Sequence, residues 1–313
     1  MKIFLGCSFF TLLIFTGGFV FAEVTNKDLI NRLEKVLHKD IGHRGINNFW
    51  IDGALLEAAE ALNKYANVII LTGFYIKSAK TAETDGPPGA IAIADALRSL
   101  HKNVTIVTDK FEYNVIKTAA LASSFPDTNV VSLNSKDEVN SFTKDINKDT
   151  CLLSIERLGR ASDDKYYSMA GIDVTEFTAP LDDIVLNGKF KTTIGIGDGG
   201  NEIGMGNKHK EIGEFVSHGK TIATTVKTDI LITSGVSNWA GYALAMALQI
   251  LNPDKNVTTP TVESDHKVLN AIVSVGSVDG ITSENKDSVD GFAFRTHADI
   301  IRTMRILLVQ RIH

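Results

Sequence analysis

Short apolar segments alternate with amphipathic helical segments along most of the chain, and this alternation constrains the fold more than any other feature. Apolar runs such as residues 68–71 and 104–107 are each followed by a longer stretch with apolar side chains at helical spacing. Runs of this length suit strands that are covered on both faces, and their alternation with helices is typical of parallel βαβ units. The sequence therefore predicts an α/β fold of three layers, a mostly parallel sheet with helices on both faces.

The same periodicity predicts the bounds of the individual elements. Strands are expected at residues 68–71, 104–107, 129–133, 151–155, 192–196, 221–226 and 229–233. Helices are expected at residues 27–38, 52–65, 88–100, 111–123, 135–146, 237–251, 263–275 and 297–311, with Asp52 as the N-cap of the second. The polar stretch 156–191 lacks periodicity and predicts a long loop or a small insertion.

The N-terminal segment has the composition of a targeting sequence. Lys2 precedes an apolar run, and Val20 and Ala22 provide the small residues of a cleavage site. We therefore expect residues 1–22 to be a signal peptide and residues 23–313 to form one domain. The protein would then be secreted or reside in the endomembrane lumen.

Charge and cysteine content exclude several classes of protein. The formal net charge is −5 at pH 7, so the basic surface that nucleic acid requires is not expected. No apolar run after the signal peptide is long enough to span a membrane. Cys151 is then the only cysteine, which excludes an intramolecular disulfide, and its apolar neighbours predict a buried side chain. Asn103 and Asn256 begin glycosylation sequons that are usable only in the secretory route.

Polar, glycine-rich segments follow the predicted strands where the strands end. Ligands of open α/β sheets bind beyond these carboxyl ends, so the segments should form one site. The segment 195–206 holds Asp198, Asn201 and Glu202 among glycines, where acidic side chains have no packing role. It lacks the Gly-Lys-Ser/Thr of a phosphate-binding loop, and its carboxylates would repel the pyrophosphate of a dinucleotide. We therefore expect no nucleotide cofactor.

Acidic and basic side chains in these segments indicate the kind of ligand. Glu83 and Asp85 lie in a second loop with glycine and proline, and together with Asp198 and Glu202 they offer the oxygen ligands of a divalent cation, or a site for an ammonium group. Arginine binds carboxylates through its planar, forked guanidinium, which makes three arginines candidates for that role: Arg44, Arg157 and Arg160. Each is equally open to a role as a surface residue or an ion-pair partner.

In these loops the sequence resembles the D-glutamate cyclase family. The matching segments are residues 83–90, 155–161, 195–206 and 235–244, and residues 288–291 with His297 are similar to the C-terminal end of the family. The resemblance extends from about residue 40 to about residue 311. Ala170 departs from it, because relatives tend to carry Arg there. A signal peptide also takes the place of the second domain that some animal relatives have.

The resemblance implies a lyase that cyclises D-glutamate to 5-oxo-D-proline with loss of water. The implied catalytic residues, one of which is the base for the amine, are Asp198, Glu202 and Glu156. The implied substrate-binding residues are Arg157, Arg160, Asn201, Asn238 and Arg44. The implied ligands of a divalent cation, Mg²⁺ or Mn²⁺, that polarises the γ-carboxylate are Glu83, Asp85, Asp198 and Glu202. The usual location of the family makes mitochondria the alternative to secretion.

Two other functions fit the same residues. A divalent-metal-dependent phosphohydrolase would use the same acidic loops. A non-catalytic secreted protein that binds small acids would keep the pocket without the chemistry, as Ala170 suggests. Turnover of a phosphate ester with D-glutamate untouched would favour the first, and a ligand-induced thermal shift without product would favour the second. The oligomeric state stays open.

Overall fold

The computed structural model describes residues 25–40, 42–123, 125–126 and 129–309, so the predicted signal peptide lies outside the described residues. Within them the α-helices, α1 to α11, are Asn26–Leu37, Ala54–Lys64, Pro87–Ser99, Tyr113–Ser123, Lys136–Lys144, Asp182–Asn187, His209–Phe215, Gly219–Ile222, Ser237–Leu251, Val262–Ser274 and Phe294–Val309. The strands, β1 to β10, are Asn67–Thr72, Tyr75–Ile76, Thr81–Ala82, Asn103–Thr108, Val130–Ser132, Thr150–Ile155, Thr192–Gly197, Ile230–Thr233, Ser288–Val289 and Phe292–Ala293.

The main sheet confirms the predicted α/β architecture. Its six strands lie in the order β5-β4-β1-β6-β7-β8, and every neighbouring pair is parallel. Successive residues of β1 face opposite layers, as the pleat of a strand requires. Ile70 belongs to the core that includes α1, α3 and α9, whereas Leu71 packs in a second core with Val139 of α5 and Ile184 of α6. The near-continuous apolar runs of the sequence follow from this burial on both faces.

The strand order places a crevice between β1 and β6. The chain builds the sheet outward from β1 to β4 and β5, then returns to β6 on the other side of β1 and continues to β7 and β8. Ligands of open α/β sheets bind where the order reverses in this way, outside the carboxyl ends of the strands. The loops after β1 and β6 are therefore the ones that the fold brings to a site.

The stretch after β6 is largely irregular, as predicted, apart from a short 3₁₀ turn at Thr175–Phe177 and helix α6. Residues 157–181, called here the covering segment, pass over the carboxyl edge of the sheet. Asn201 donates from Nδ2 to the carbonyl of Tyr167 at 2.7 Å, which ties this segment to the glycine-rich loop after β7. The insertion that the sequence left without structure is thus one wall of the crevice.

The predicted strand at residues 221–226 is wrong. Its first residues belong to α8, and the next backbone groups bond to loops instead of the sheet. The N–H of Thr224 donates to the carbonyl of Gly200, and the N–H of Thr225 donates to that of Arg160. Ile222 and Val226 are buried beneath these loops. The apolar side chains of this segment are buried against loops outside the sheet, and this gives the segment the same apolar pattern as a strand.

Asp52 is not the N-cap of α2, which is a second correction. The N-cap is Gly53, with φ 86°, and a carboxylate from another helix supplies the acceptors that the first turn needs. Glu34 of α1 accepts hydrogen bonds from the N–H of Gly53 at 2.6 Å and of Leu55 at 2.7 Å. A partner so far away in the chain leaves no local signature in the sequence.

Two smaller predictions are also addressed by the structure. Cys151 is completely buried, as expected, and this burial raises the pKa of its thiol to about 12. Among the described residues, no helix is both long enough and apolar enough to cross a bilayer.

Candidate active site

Six carboxyl groups converge at the carboxyl ends of β1, β6 and β7, and none is more than 9 % exposed. We call them the carboxylate cluster: Glu83, Asp85, Glu156, Asp198, Glu202 and Asp290. Oxygens of Asp85, Asp198 and Asp290 lie within 4.8 Å of one another, as do oxygens of Glu156, Asp198 and Glu202. Since Asp198 belongs to both groups, it lies at the centre of the cluster.

Arg44 is the one basic side chain that pairs with the cluster among the residues the structure describes. Its Nη2 lies 3.0 Å from Asp198 and 2.9 Å from Asp290, and it donates to the carbonyl of Gly235 at 2.6 Å. Asp40 fixes the backbone by accepting a hydrogen bond from the N–H of Arg44 at 2.8 Å. One guanidinium faces six carboxyl groups, so the cluster must take up protons or bind positively charged groups to remain buried.

The glycine-rich loop after β7 is folded around the side chain of Glu202. This carboxylate accepts hydrogen bonds from three successive backbone N–H groups, those of Asp198 at 3.0 Å, Gly199 at 2.7 Å and Gly200 at 2.6 Å. Gly200 has φ 120°, a conformation that side chains rarely adopt, which explains a glycine at this position. Glu202 therefore holds the turn that presents Asp198.

The N-terminus of α9 stabilises two of the acids. Asp85 accepts from the N–H of Ser237 at 3.0 Å and of Asn238 at 2.8 Å, and Asp198 accepts from the N–H of Ser237 at 3.0 Å. Free N–H groups and the helix dipole both favour negative charge at this end of a helix. The Asn238 side chain accepts from the N–H groups of Gly86 and Gly89, at 3.0 and 2.8 Å, so it attaches the loop after β1 to α9.

Glu156 is held in an unusual backbone conformation at the end of β6. Its φ is 45°, in the left-handed region that few side chains adopt, and such strain clusters at functional sites. Its Oε2 is buried and has no hydrogen-bond partner, a property shared by Oε1 of Glu83. These two carboxyl groups are thus the members of the cluster with a buried oxygen that no hydrogen bond satisfies.

Burial shifts the protonation of the cluster towards the neutral forms. Burial, reinforced by Glu202 and Asp85, raises the pKa of Glu156 well above its usual range. Burial also raises the pKa of Glu83 and of Asp198 strongly, although Arg44 acts in the opposite direction on both. For Asp85, burial and the neighbouring Asp290 raise the pKa to about 7. The cluster therefore retains protons that a bound cation would displace.

A cavity of about 270 Å³ opens above these acids. Its charged lining includes Arg44, Glu83, Glu156, Asp198 and Asp290. The remaining walls include side chains of the covering segment and of the loop before β9, among them Met169, Ala170 and Ile281. The volume lies just below the ~300–1,000 Å³ of typical drug-sized ligand sites, so it suits a ligand of amino-acid size.

Arg157 and Arg160 lie outside this cavity. Arg157 is 1 % exposed and donates to Asp109 at 2.6 Å and to Glu112 at 3.3 Å. It also donates to the carbonyls of Gly73 and Ala179, which links the loop after β1 to the covering segment. These contacts engage both Nη atoms of the guanidinium within the fold.

Arg160 is similarly engaged near α6. Its Nε donates to Asp182 at 2.6 Å and its Nη2 to Asp183 at 2.5 Å. Of the three predicted carboxylate-binding arginines, Arg44 alone borders the cavity. The sequence placed Arg157 and Arg160 just after a predicted strand and Arg44 before the first one, but it did not show which acids of the fold would pair with them.

Asp290 is the main residue of the site that sequence reasoning did not assign. It lies in the turn between β9 and β10 with φ 55°, and its neighbour Gly291 donates from its N–H to Asp279 at 2.8 Å. Asp279 also accepts from the hydroxyl of Ser288 at 2.7 Å, so it fixes this turn. The Asp-Gly pair in a matching segment of the resemblance was the signal available in the sequence.

Comparison with known proteins identifies the family. A sequence model described as D-glutamate cyclase-like, C-terminal, matches residues 33–305, a range that contains the whole carboxylate cluster. The human protein D-glutamate cyclase, mitochondrial, is 33 % identical over 322 aligned positions, which cover 90 % of this chain. They cover 52 % of the human protein, so the chain spans about half the length of the curated relative it matches. The chain therefore belongs to the D-glutamate cyclase-like family, in the part described as C-terminal.

Proposed function

We propose that this protein is a lyase that cyclises D-glutamate to 5-oxo-D-proline and water. The observation that carries the proposal is the imbalance of six buried carboxyl groups and one guanidinium around a small cavity. An amino acid supplies the missing positive charge with its ammonium group. The choice of D-glutamate is supported by the name of the human relative.

Glu156 is our candidate for the general base. Glu156 lines the cavity beside Glu83 and Asp198, where the ammonium of D-glutamate would bind, and its Oε2 has no hydrogen-bond partner. Approach of that cation stabilises the ionised carboxylate, which then accepts a proton from the nitrogen. The resulting amine attacks the γ-carbon, and the C–N bond of the ring forms. Holding the chain in this folded pose supplies much of the rate, because attack within one molecule needs orientation rather than encounter.

Glu83 is our candidate for the acid that assists departure of water. Burial raises the pKa of Glu83 well above its usual range, which favours the protonated form, and in this proposal Glu83 donates that proton to the γ-oxygen that leaves. The second proton of the departing water comes from the nitrogen by way of Glu156, and the other proton that the nitrogen loses returns to Glu83. Two protons leave the nitrogen and two join the oxygen while one C–O bond breaks, so the overall step neither takes up nor releases protons.

The other predicted site residues have supporting roles in this proposal. Arg44 holds Asp198 and Asp290 in place and is the arginine nearest to a bound substrate. Glu202, Asn201 and Asn238 maintain the loops through the hydrogen bonds described above. We propose that Arg157 and Arg160 stabilise the covering segment instead of contacting the substrate.

The cluster also fits a divalent cation. Two sets of three carboxylates have oxygens within 4.8 Å, and such hard oxygen donors are those that Mg²⁺ and Mn²⁺ prefer. Glu156 and Glu83 each offer a buried oxygen without a partner. We propose Asp198, which belongs to both sets, as the central ligand together with Asp85 and Asp290, which leaves Glu156 and Glu83 as the base and the acid. A bound cation would polarise the γ-carboxylate.

A product assay with a matched control tests the proposed reaction. The purified protein is incubated with D- and L-glutamate, with and without Mg²⁺ or Mn²⁺, and 5-oxoproline is measured by chromatography. Glu156→Gln should lower kcat by about 100-fold or more, the usual range for loss of a general base. Asp265→Asn changes a buried carboxyl outside the cavity and should leave kcat within twofold, on the order of the error of such comparisons. Absence of 5-oxoproline from the unaltered protein would refute the proposed reaction.

The same assay separates the two alternative functions. A phosphate monoester carries two negative charges, which the carboxylate cluster repels unless cations intervene. Turnover of such an ester with Mn²⁺, with D-glutamate untouched, would establish the phosphohydrolase. Binding of D-glutamate without product would establish the binding protein.

For location, we propose secretion or retention in the endomembrane lumen on the basis of residues 1–22, with mitochondria as the alternative because the human relative is named mitochondrial. Asn103 is the exposed first residue of β4, and Asn256 is exposed before α10. Treatment of the expressed protein with an N-glycosidase should therefore reduce its apparent mass if it enters the secretory route. An unchanged mass together with co-purification with mitochondria would favour the alternative.

A further inference from the structure

The cavity above the carboxylate cluster has opposite charges at its two ends. Glu83, Glu156 and Asp198 form an acidic floor and are at most 5 % exposed. The mouth is bordered by Lys77, which is exposed, and by hydroxyl groups of neighbouring residues. Among the described residues that line the cavity, Lys77 and Arg44 are the basic ones. A ligand that matches this arrangement is positive at its inner end and negative at its outer end.

Lys77 is held over the mouth by contacts with the covering segment. It follows β2 at the tip of the β2–β3 hairpin, and its Nζ donates to the carbonyl of Asp173 at 3.1 Å. The same ammonium lies 5.6 Å from the centre of the Phe177 ring. A lysine has three N–H donors, so two remain available for a ligand.

Two serines complete a set of donors beside this lysine. Ser78, the next residue in the hairpin, and Ser283, in the loop before β9, have hydroxyl oxygens 2.8 Å apart, and both line the cavity. Ser283 has φ 56°, and its N–H donates to the carbonyl of Asp279 at 2.8 Å, which fixes its position. Hydroxyl groups turn to suit a ligand, so both can donate to the same anion.

Arg44 is poorly placed to serve this outer anion. Its Nη2 already serves two carboxylates of the cluster and the carbonyl of Gly235. A substrate carboxylate beside it would also approach Asp198 and Asp290, which repel it. Lys77, Ser78 and Ser283 line the mouth, by contrast, and offer one ammonium and two hydroxyls. None of these three side chains would repel a substrate carboxylate.

We propose that Lys77, Ser78 and Ser283 form the receptor for the substrate's α-carboxylate, so that an amino acid enters the cavity amine first. This inference rests on the proposed function, because it assumes that the ammonium binds to the acidic floor. It narrows the substrate class to amino acids with a free α-carboxylate. Amides and esters at that position lose the contact and bind weakly, whatever their side chain.

Paired binding and turnover measurements test the receptor. D-glutamate and its α-amide are titrated calorimetrically into the full-length protein and its Lys77→Met, Lys77→Arg and Ser283→Ala variants. Lys77→Met should raise Kd and KM for D-glutamate about 10- to 100-fold, the range for loss of a charged hydrogen bond, with a much smaller change in kcat. Lys77→Arg should recover most of this loss, and Ser283→Ala should raise Kd about threefold.

The α-amide and a distant lysine provide the controls. The amide should bind weakly to the unaltered protein and be insensitive to Lys77→Met, since the group that Lys77 recognises is already missing. Lys210→Met changes an exposed lysine of α7 outside the cavity and should leave Kd unchanged. If D-glutamate binds and Lys77→Met keeps its affinity within twofold, on the order of measurement error, the receptor is overturned while the proposed reaction stands.

A failure of the proposed reaction is recognised from the product assay, separately from the affinity of the Lys77 variants. Binding of D-glutamate without 5-oxoproline overturns the reaction, yet the Lys77 variants still decide the receptor from Kd alone. If neither D-glutamate nor L-glutamate binds, both proposals are overturned.

Discussion

Gly86 and Glu156 approach each other so closely that a Cβ atom on residue 86 would lie 2.7 Å from the Cβ of Glu156. Both residues have positive φ, 96° for Gly86 and 45° for Glu156. The loop after β1 and the end of β6 therefore fit together at the switch point only because residue 86 has no side chain. This contact fixes where the Glu156 carboxyl group lies relative to the remaining acids.

Gly86→Ala should accordingly impair catalysis more than its backbone strain alone explains. Gly53 provides the matched control, because it has φ 86° but no atom lies within 4 Å of its added Cβ. Gly53→Ala should lower the unfolding free energy by about 1–2 kcal/mol through left-handed strain, and Gly86→Ala should lower it by more, because its ψ of −61° lies outside the left-handed helical region. Gly86→Ala should further lower kcat by about 100-fold by displacing Glu156, whereas Gly53→Ala should not. Equal kinetic effects of the two substitutions, measured beside urea unfolding, would show that the contact is unimportant.

The proximity of Asp85 to the cavity predicts a pH-dependent affinity. Burial and Asp290 raise the pKa of Asp85 to about 7, so the carboxylate that attracts an ammonium group forms as the pH rises through neutrality. Raised pKa values of Glu83, Glu156 and Asp198 act in the same direction. KM for D-glutamate should therefore fall about tenfold between pH 6 and pH 8.

Asp85→Asn should reduce that dependence and raise KM at pH 8. Burial also raises the pKa of Asp265 to about 7, but this residue pairs with Tyr242 outside the cavity. Asp265→Asn is therefore the matched control and should preserve the pH profile of KM. If Asp265→Asn flattens the pH profile of KM while Asp85→Asn leaves it intact, the assignment of the pH dependence to Asp85 is wrong.

The sequence predicted the layers of the fold well and the partners of individual charges poorly. Alternating apolar runs are a direct consequence of strands covered on two faces, so β1, β4 and β6 were found close to their bounds. The convergence of Glu83 and Asp198 followed from the rule that strand ends share one edge. By contrast, Arg157 looked like a ligand-binding residue, because nothing near it in the sequence reveals the buried Asp109 that pairs with it.

The pair of Arg157 and Asp109 should be required for stability. Arg157, after the opposing effect of burial, holds the pKa of Asp109 down to about 2, compared with an ordinary value of 3.8. The stabilisation is complete above about pH 4 and is lost as the pH falls through 2, because the unfolded chain binds the proton first. Asp109→Ala leaves a buried guanidinium short of a partner and should lower the unfolding free energy by about 3–5 kcal/mol.

A surface pair of the covering segment serves as the control for this prediction. Lys165 and Asp173 lie 3.0 Å apart but are about half exposed, so Asp173→Ala should cost less than about 1 kcal/mol. Urea unfolding at pH 7 measures both. Equal losses of unfolding free energy would show that the buried pair of Arg157 and Asp109 contributes no more to stability than the exposed pair does.

Ala170 lies on the wall of the cavity, at the position where the family tends to carry an arginine. The side chain is small and exposed, so an arginine fits there without disturbing the core. Ala170→Arg adds a donor for carboxylates and should lower KM for D-glutamate about two- to fivefold, the range of a partly exposed ion pair. Ala170→Gln matches much of the length without the charge and should leave KM near that of the unaltered protein.

If the unaltered protein binds D-glutamate without cyclising it and Ala170→Arg restores 5-oxoproline formation, the missing arginine is what separates a binding protein from an enzyme in this chain. If Ala170→Arg raises KM instead, the added side chain obstructs the cavity and does not bind a carboxylate of the substrate.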